Sequence, residues 1–257
     1  MNIYVVMKRT FDTEEKIVMK NGVIEEFEAK YVINPYDEYA IEEAILLKEK
    51  HGGEITVVTV GGEDAEKELR TALAMGADKA VLVNSDDDLE DGDEYTTAKV
   101  LSHFFIKNEF DIILGGNVAI DGGSGQVGPR LAALLDISYV TAITKIEIND
   151  QAVKIERDVE GDMEVIETSL PLLVTTQQGL NEPRYPSLSG IMKAKKKPLL
   201  EVGLDDLDLD EENAAAKTKV SEIYLMPKKE AGKILKGEVN DQVIELLNLL
   251  KTEAKVI

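Results

Sequence analysis

The sequence predicts an α/β fold: a mainly parallel sheet with helices on both faces, antiparallel additions and a C-terminal arm. In the first half of the chain, short apolar runs alternate with segments whose apolar residues recur three and four positions apart. Ile55–Val60 consists only of β-branched residues, as expected for a strand covered on both faces. After Asp136 the strand-like runs follow one another with little helix between them, which predicts the antiparallel strands.

Local signals delimit each element. Pro35, at the first helical position, begins a helix that ends before Gly52-Gly53, and Asn21-Gly22 is a two-residue hairpin turn. The elements predicted up to Asp136 are strand Asn2–Met7, hairpin Lys16–Phe27, the helix from Pro35, strand Ile55–Val60, helix Asp64–Met75, strand Ala80–Val83, helix Tyr95–Lys107, strand Asp111–Leu114 and a helix from near Ser124 to Leu135. The later predicted strands are Thr141–Ile148, Ala152–Arg157, Glu164–Leu170 and Leu172–Thr176.

The composition changes near residue 200, which we take as the end of the α/β domain. Seven acids lie between Glu201 and Glu212, a stretch with too little apolar surface to fold by itself. The chain then ends in an amphipathic helix with apolar residues three and four apart, Val243, Leu246, Leu247 and Leu250. We therefore expect residues 1–200 to form the domain and residues 201–257 to form an acidic linker and an arm laid on another surface. A tail packed on its own domain is the alternative.

Charge and residue usage exclude several classes of function. The 257 residues carry 29 Lys and Arg against 50 Asp and Glu, a net charge of −21 that opposes binding to nucleic acid or to an anionic membrane. Cysteine is absent, which excludes disulfides, thiol catalysis and thiolate-bound zinc. The two histidines rule out a multi-histidine metal site. We expect a cytoplasmic protein without a targeting segment, a membrane span or a metal site.

The strongest candidate site is the glycine-rich run 115–129, which holds six glycines and precedes a predicted helix. Glycines let backbone N–H groups close on an anion, and the helix N-terminus adds partial positive charge, so phosphate is the natural ligand. In an open parallel sheet, ligands bind beyond the carboxyl ends of strands, where Met7–Thr10 and Val60–Gly62 also lie. The run matches neither common nucleotide-binding glycine motif, and a flexible turn is the alternative.

Other polar groups carry no clear chemistry. Asp86–Asp93 resembles a calcium loop but lacks oxygen ligands at required positions, so we interpret it as a solvated loop. The acid pairs Glu42-Glu43 and Glu211-Glu212 are most simply solvated surface. Neither His51 nor His103 has an obvious nucleophile beside it. The sequence therefore indicates a protein that binds rather than catalyses.

A basic segment stands out on this acidic chain. Four lysines lie within five residues and follow three apolar residues that look exposed; the seven are Leu188, Ile191, Met192, Lys193, Lys195, Lys196 and Lys197. An apolar anchor rimmed by cations is the composition expected of a docking patch for an acidic partner. A solvated charged face is the alternative.

This segment also carries a resemblance. Asn181–Tyr185, Leu188 and Ile191–Lys197 closely resemble the recognition loop of the electron transfer flavoprotein beta subunit. Further blocks agree with that family over about residues 1 to 200, in order: Val6–Arg9 with Asn34–Glu38, Arg70–Asp78, Ala119–Gly122 to Gln126–Pro129, and Ile155–Asp158 through Glu160–Asp162 to Pro171–Thr175.

The resemblance implies an electron carrier rather than an enzyme. In that family the beta subunit has an adenine nucleotide alpha hydrolase-like fold, buries AMP, and forms a heterodimer with an alpha subunit that holds most of a redox-active FAD. The complex carries electrons from acyl-CoA dehydrogenases in fatty acid β-oxidation to a membrane quinone oxidoreductase. The C-terminal arm is then expected to pack on the alpha subunit.

The resemblance also assigns residues by position. The AMP-binding set would be Val6, Asn34, Pro35, Tyr36, Asp37, Val60, Gly116, Asn117, Val118, Ala119, Ile120, Asp121, Gly122, Gly123, Ser124, Gly125, Gln126 and Val127. Tyr36 and Thr13 would lie near the flavin, although the family often has a tyrosine where this chain has Thr13. Leu188 would be the docking anchor. Asp158 replaces a glutamate thought to hold the mobile FAD domain, and its shorter side chain implies a weaker or water-mediated ion pair.

Two kinds of alternative stay open. Bifurcating relatives hold a second FAD where AMP lies, but they generally lack the Met192–Lys197 block, so AMP is favoured. An adenine-nucleotide hydrolase would need a glycine–serine phosphate loop directly after the first strand, where this chain has Met7–Phe11. A ligand-sensing stress-type protein without an alpha subunit is a further possibility.

Overall fold

A nine-stranded sheet forms the centre of residues Met1–Ser221 in the computed structural model, which describes residues 1–20, 22–25, 29–85, 89, 92–227 and 231–257. The strands are β1 (Asn2–Val6), β2 (Arg9–Phe11), β3 (Met19–Lys20), β4 (Val23–Ile24), β5 (Tyr31–Ile33), β6 (Glu54–Gly61), β7 (Lys79–Asn84), β8 (Ile112–Gly116), β9 (Ser138–Asn149), β10 (Ala152–Val159), β11 (Asp162–Ser169), β12 (Leu172–Thr176) and β13 (Leu199–Val202). The helices are α1 (Pro35–His51), α2 (Glu66–Met75), α3 (Glu94–Ile106), α4 (Val127–Leu135), α5 (Leu188–Ala194), α6 (Glu211–Ala214) and α7 (Val239–Leu249).

The strand order confirms the predicted mainly parallel sheet. It runs β11-β10-β9-β12-β8-β1-β6-β7-β13, and every neighbouring pair is parallel except β9 with β10 and β10 with β11. The antiparallel additions therefore form one edge of the sheet. Two small ribbons, β2 with β5 and β3 with β4, lie outside it. The predicted hairpin corresponds to β3 and β4, while Asn21 at its turn and Glu26–Phe27 lie outside the described residues.

Helices cover both faces of the sheet because successive strand residues point to opposite sides. On β8, Ile112 and Leu114 pack into the apolar cluster that contains residues of α1 and α2, whereas Ile113 packs into the cluster that contains residues of α3 and α4. All three side chains are at most 1% exposed. A strand buried on both faces needs apolar residues at every position, which explains why the predicted strands are continuous apolar runs.

The acidic stretch beyond residue 200 differs from the prediction. Instead of a linker, it contains β13, paired with β7, and the short helix α6. Leu204, Leu207 and Leu209 are each at most 5% exposed, so the leucines between the acids supply a buried face that the overall composition conceals. The compact unit consequently extends to Ser221.

Residues Glu222–Ile257 form a second unit, of which Lys228–Glu230 lie outside the description. Its helix α7 continues into one turn of π-helix, Leu250–Ala254, and its apolar residues Val243, Leu246 and Leu247 are 45–50% exposed. The predicted amphipathic helix thus exists from Val239. Its packing on an alpha subunit stays a prediction.

The interpretation of Glu42-Glu43 as solvated surface is wrong. Both side chains lie on the inner side of α1, only 4% and 7% exposed. The Arg184 guanidinium donates to Glu42 at 2.8 and 3.1 Å and to Glu49 at 2.9 Å. Asn181 Nδ2 donates to Glu43 Oε2 at 2.9 Å, and burial raises the pKa of Glu43 despite that bond. These contacts fix the start of the 181–197 segment to α1.

We predict that Arg184→Ala lowers the free energy of unfolding by about 1–3 kcal/mol, because it leaves the Glu42 carboxylate buried without its cation. Arg157→Ala is the matched control: Arg157 pairs with Glu164 at 2.7 Å, but this carboxylate is 47% exposed, against 5% for Glu42. Water can therefore solvate Glu164, and the loss of Arg157 is expected to cost less than about 1 kcal/mol. Urea unfolding of the purified variants measures both. Equal losses would contradict the buried-pair account.

Candidate functional site

A cavity of about 900 Å³ opens at the carboxyl ends of the central strands. The chain runs from β1 to β6 and β7 on one side, then crosses back so that β8 pairs with the other side of β1. Such a reversal leaves a crevice between the loops that follow the two strands. Val6 at the end of β1 and Gly116 at the end of β8 both line this cavity.

Most of the residues predicted by position to bind a nucleotide lie around this one cavity. The structure brings together Val6, Asn34, Asp37, Val60, Gly116, Asn117, Val118, Ala119, Gly122, Gly123, Ser124, Gly125, Gln126 and Val127. Four predicted residues are not part of its lining. Pro35 and Tyr36 form the first turn of α1, Ile120 is 37% exposed, and Asp121 contacts Lys8. Whether these residues bind AMP stays a prediction.

Asp37 joins three elements at the base of the cavity. Its Oδ2 accepts a hydrogen bond from the Lys8 backbone N–H at 2.7 Å, and its Oδ1 accepts one from Gly116 N–H at 2.7 Å. Burial raises the pKa of Asp37 to about 7, although the hydrogen bonds from Lys8, Gly116 and Asn34 act in the opposite direction. The carboxylate is thus enclosed by backbone donors and fixes α1 against the ends of β1 and β8.

Asn34, directly before Pro35, holds the glycine-rich loop. Its Nδ2 donates to the Val118 carbonyl at 2.9 Å, and its Oδ1 accepts from Ile120 N–H at 3.2 Å. Because Asn34 is only 1% exposed, its amide serves the loop rather than solvent. A side chain that precedes α1 therefore shapes the opposite wall of the cavity.

Two threonines at the end of β12 support the same loop. Thr175 Oγ1 donates to Asn117 Oδ1 at 2.9 Å and accepts from the backbone N–H of Ala142 at 2.9 Å. Thr176 Oγ1 donates to the Tyr36 carbonyl at 2.9 Å. Both side chains are at most 2% exposed, so the loop after β8 rests on buried polar contacts.

The loop ends in a set of backbone donors. No acceptor in the described part of the chain takes a hydrogen bond from the N–H groups of Ser124, Gly125 or Gln126. Val127 and Gly128 follow as the first residues of α4, where N–H groups have no partner within the helix. All five residues line the cavity. The geometry therefore fits an anionic ligand that accepts hydrogen bonds from backbone N–H groups.

The apolar floor suits a flat organic group beside that anion. Ile113, Leu114, Leu131 and Leu173 line the cavity and are each at most 2% exposed. The described lining contains no histidine. Thr218 Oγ1 donates to Asp93 Oδ2 in this lining, but two backbone N–H groups already occupy that carboxylate oxygen. The cavity can hold a nucleotide but offers no evident machinery for its hydrolysis.

Comparison with known proteins assigns the family. An electron transfer flavoprotein domain model matches residues 21–207. The chain is 69% identical over 257 residues to the electron transfer flavoprotein subunit beta of Bacillus subtilis strain 168, with 100% of each chain covered. It is 40% identical over 257 residues to the same subunit of Syntrophomonas wolfei, covering 100% of this chain and 98% of that one. The chain belongs to the electron transfer flavoprotein beta-subunit family.

The family is broad. The caffeyl-CoA reductase-Etf complex subunit CarD of Acetobacterium woodii is 36% identical over 258 residues, with 98% of both chains covered. Membership confirms the resemblance inferred from the sequence motifs.

In the part of this chain that the structure describes, no helix is long and apolar enough to cross a membrane. No acidic or histidine cluster among these residues has the arrangement of a metal site.

The predicted docking segment presents its apolar residues to solvent. Leu188, Met192 and Ile191, on or beside α5, are 84%, 65% and 46% exposed. Ser187 caps this helix by accepting from Gly190 N–H at 3.0 Å. Three lysines of the segment are also exposed and form no ion pair with described residues: Lys193, Lys195 and Lys196.

Lys197 differs from this predicted role. Its Nζ donates to the carbonyls of Leu73 at 2.9 Å and Ala77 at 2.6 Å, around the C-terminal end of α2, and burial lowers its pKa. A cation at a helix C-terminus satisfies carbonyls that have no partner within the helix. Lys197 therefore fixes the end of the docking segment to α2. The exposed positive charge of the segment comes from the other three lysines.

The remaining predicted positions lie away from the cavity lining. Tyr36 is half-buried in the first turn of α1, and Thr13 is exposed after β2. Asp158 is exposed on β10 and forms no ion pair with any described residue of this chain, which leaves its carboxylate free for another molecule. Their contacts with flavin or with an FAD domain stay predictions.

Sequence reasoning missed one side of the cavity. Asp93 and Thr97 of the α3 region, and residues of the segment 216–220, also line it. The acidic composition around them favoured solvated loops, and no local pattern joined positions that lie more than a hundred residues apart in the chain.

We predict that Gly116→Ala destabilises the protein by about 1–3 kcal/mol. An added Cβ would collide with Asp37 Oδ1 and lie 2.7 Å from Tyr36 Cβ, so the Asp37 junction would have to shift. Gly122→Ala is the control from the same loop, because its Cβ would meet nothing within 4 Å. Thermal unfolding of both variants measures the difference, and equal melting temperatures would count against a close approach at Gly116.

Proposed function

We propose that this chain is the beta subunit of a heterodimeric electron transfer flavoprotein that carries electrons from acyl-CoA dehydrogenases to a membrane quinone oxidoreductase. In this proposal it is an electron-carrier subunit of the cytoplasm rather than an enzyme, and its arm packs on the alpha subunit. The observation that carries the proposal is the cavity at the strand reversal, in which backbone donors without partners face an apolar floor.

The proposed ligand of the cavity is AMP. Phosphate matches the N–H groups of residues 124–128, and the adenine and ribose match the apolar floor formed by strand and helix side chains. In this proposal the nucleotide is a structural component that is bound and not consumed. Asp37 and Asn34 shape the nucleotide site without binding the nucleotide in this proposal, because their side chains already bind the backbone of the loops.

The redox group of the proposal is FAD, held mostly by the alpha subunit, and it supplies reversible electron transfer. This chain contributes Thr13, between β2 and β3, and Tyr36, in the first turn of α1, toward the flavin. Asp158 is proposed to pair with the FAD-bearing domain, which its exposure permits. The chain's part is to position these groups while its own sheet stays rigid.

The proposed dehydrogenase contact is the α5 segment. Leu188 supplies an apolar anchor, and Lys193, Lys195 and Lys196 surround it with positive charge on a chain of net charge −21. Charges at the rim of an interface raise the association rate and orient the partner, whereas the central apolar residue supplies most of the affinity. The ion pair of Arg184 with the buried Glu42 carboxylate holds one end of the segment, and Lys197 holds the other.

A bifurcating electron transfer flavoprotein, with a second FAD in the cavity, is the alternative. The relationship to a subunit of a caffeyl-CoA reductase-Etf complex keeps it open, because it shows that relatives also occur in complexes of another kind. The lysine-rich block beside Leu188 favours the AMP-containing type, and we retain AMP on that ground.

Nucleotide analysis distinguishes the two. We expect the purified complex of this chain with its alpha subunit to release FAD and AMP in a ratio near one to one on denaturation. Two FAD per complex, without AMP, would assign the chain to the bifurcating type. A complex without any nucleotide other than one FAD would contradict the proposed use of the cavity.

Leu188→Ala tests the docking anchor. We expect it to weaken association with the acyl-CoA dehydrogenase by about 1–4 kcal/mol, roughly fivefold or more in rate at limiting concentration, and to leave the FAD content unchanged. Leu200→Ala is the matched control, because Leu200 is a 55% exposed leucine outside the segment. Stopped-flow reduction of the flavin measures both. Equal rates for the two variants would remove Leu188 from the interface.

A further inference from the structure

One wall of the cavity comes from a segment that the mechanism proposed above does not use. Ala216, Thr218, Lys219 and Val220 line the cavity after α6, within the first compact unit. We call residues 216–220 the cover segment. It has no helix or strand of its own, so its position depends on side-chain contacts.

Asp93 supplies those contacts. Its Oδ2 accepts three hydrogen bonds from the cover segment: from Lys217 N–H at 2.9 Å, Thr218 N–H at 2.8 Å and Thr218 Oγ1 at 2.8 Å. Its Oδ1 accepts from Thr96 N–H at 3.0 Å and so caps α3. Burial raises the pKa of Asp93, but these hydrogen bonds lower it by more. The pKa of Asp93 therefore lies well below the usual range. One ionised carboxylate thus joins α3 to the cover segment.

The two lysines of the cover segment have different surroundings. The Lys217 ammonium lies 5.0 Å from the centre of the Tyr95 ring, and Lys217 does not line the cavity. Lys219 lines the cavity, and no carboxylate of the described residues, Glu94 of the lining included, is within ion-pair distance of it. The other lysine of the lining, Lys8, is already paired with Asp121 at 2.8 Å.

We propose that the cover segment is part of the nucleotide site, with Lys219 as a further binding residue for the nucleotide's phosphate and Asp93 as the positioning residue that holds the segment in place. The proposal rests on the proposed function, in which the cavity holds an adenine nucleotide. An anion that enters a site formed mainly by neutral N–H groups gains most from a cation that no other group neutralises. A structural nucleotide must also be retained, and in this proposal the hydrogen bonds of the cover segment to Asp93 slow its release.

Asp93→Asn separates the two roles of this carboxylate. Asparagine caps helices as well as aspartate does, so α3 keeps its cap through Oδ1. The amide NH2 that replaces Oδ2 cannot accept the three hydrogen bonds from Lys217 and Thr218. We expect the variant complex with its alpha subunit to release AMP about tenfold faster than wild type, with unchanged FAD content and melting temperature.

Two substitutions of Thr218 test how release of the nucleotide depends on a single hydrogen bond to Asp93. Thr218→Val removes one of the three donors and is expected to speed release about threefold, whereas Thr218→Ser keeps the hydroxyl and is expected to match wild type. Exchange of bound nucleotide against labelled AMP measures all these rates. A merely structural role of Asp93 would lower the melting temperature of Asp93→Asn without changing the exchange rate.

Lys219→Gln and Lys217→Gln form a matched pair with the same change in charge in the same segment. We expect Lys219→Gln to raise the dissociation constant of AMP about fivefold and to reduce its dependence on salt, and Lys217→Gln to change it less than about twofold. Equal effects of the two variants would overturn the assignment of Lys219.

The outcomes also separate this proposal from the proposed function. A wild-type complex that neither contains nor binds an adenine nucleotide would overturn both. If wild type retains AMP but Asp93→Asn exchanges it at the wild-type rate, only the role of the cover segment is overturned. If the cavity holds FAD, the same variants are measured by release of that FAD, and the same differences are expected.

Discussion

The architecture of the site depends on the buried carboxylate of Asp37. Two strands and a helix meet where the strand order reverses. The chain at the ends of the two strands supplies backbone N–H donors, and the helix supplies the carboxylate that accepts their hydrogen bonds. Asp37 accepts from Lys8, two residues beyond the end of β1, and from Gly116, the last residue of β8. Only glycine allows the second strand to approach this closely, because a Cβ at position 116 would collide with that carboxylate. The contact therefore sets the separation of the two loops between which the cavity opens.

A cavity organised in this way is suited to holding a ligand. Its polar side chains are largely used on the protein's own backbone: Asn34 binds the glycine-rich loop, Thr175 orients Asn117, and Asp37 binds strand ends. What remains for a ligand is mainly a row of N–H groups and apolar surface, with the Lys219 ammonium beside them. Such groups form hydrogen bonds without being able to abstract a proton or attack a bond. The same hydrogen bonds that hold the loops thus occupy polar side chains that could otherwise act on a ligand.

The sequence predicted what is encoded locally. Continuous β-branched runs and apolar residues three and four apart identify the parallel sheet, and the density of glycines between β8 and α4 identifies the loop before any partner is known. The burial of Glu42 was not predictable, because its partner Arg184 is 142 residues away in the chain. The contact of Asp93 with Thr218 spans 125 residues and has the same cause. Around Leu204, Leu207 and Leu209, composition misled because it averages over two faces, of which only one is acidic.

The same reasoning explains why four adjacent lysines do not form one uniform patch. Arg184 and Lys197 lie at the two ends of the docking segment. Lys197 donates to carbonyls around the C-terminal end of α2, and Arg184 pairs with the buried Glu42 carboxylate of α1. The helix between them is seven residues long and is capped by Ser187. Leu188 and Met192 can then be exposed on a base that is held at both ends, and the remaining lysines surround them. A rigid base lowers the entropy lost when such an anchor enters a partner. The buried charges therefore contribute to recognition through preorganisation, while the exposed charges contribute through steering.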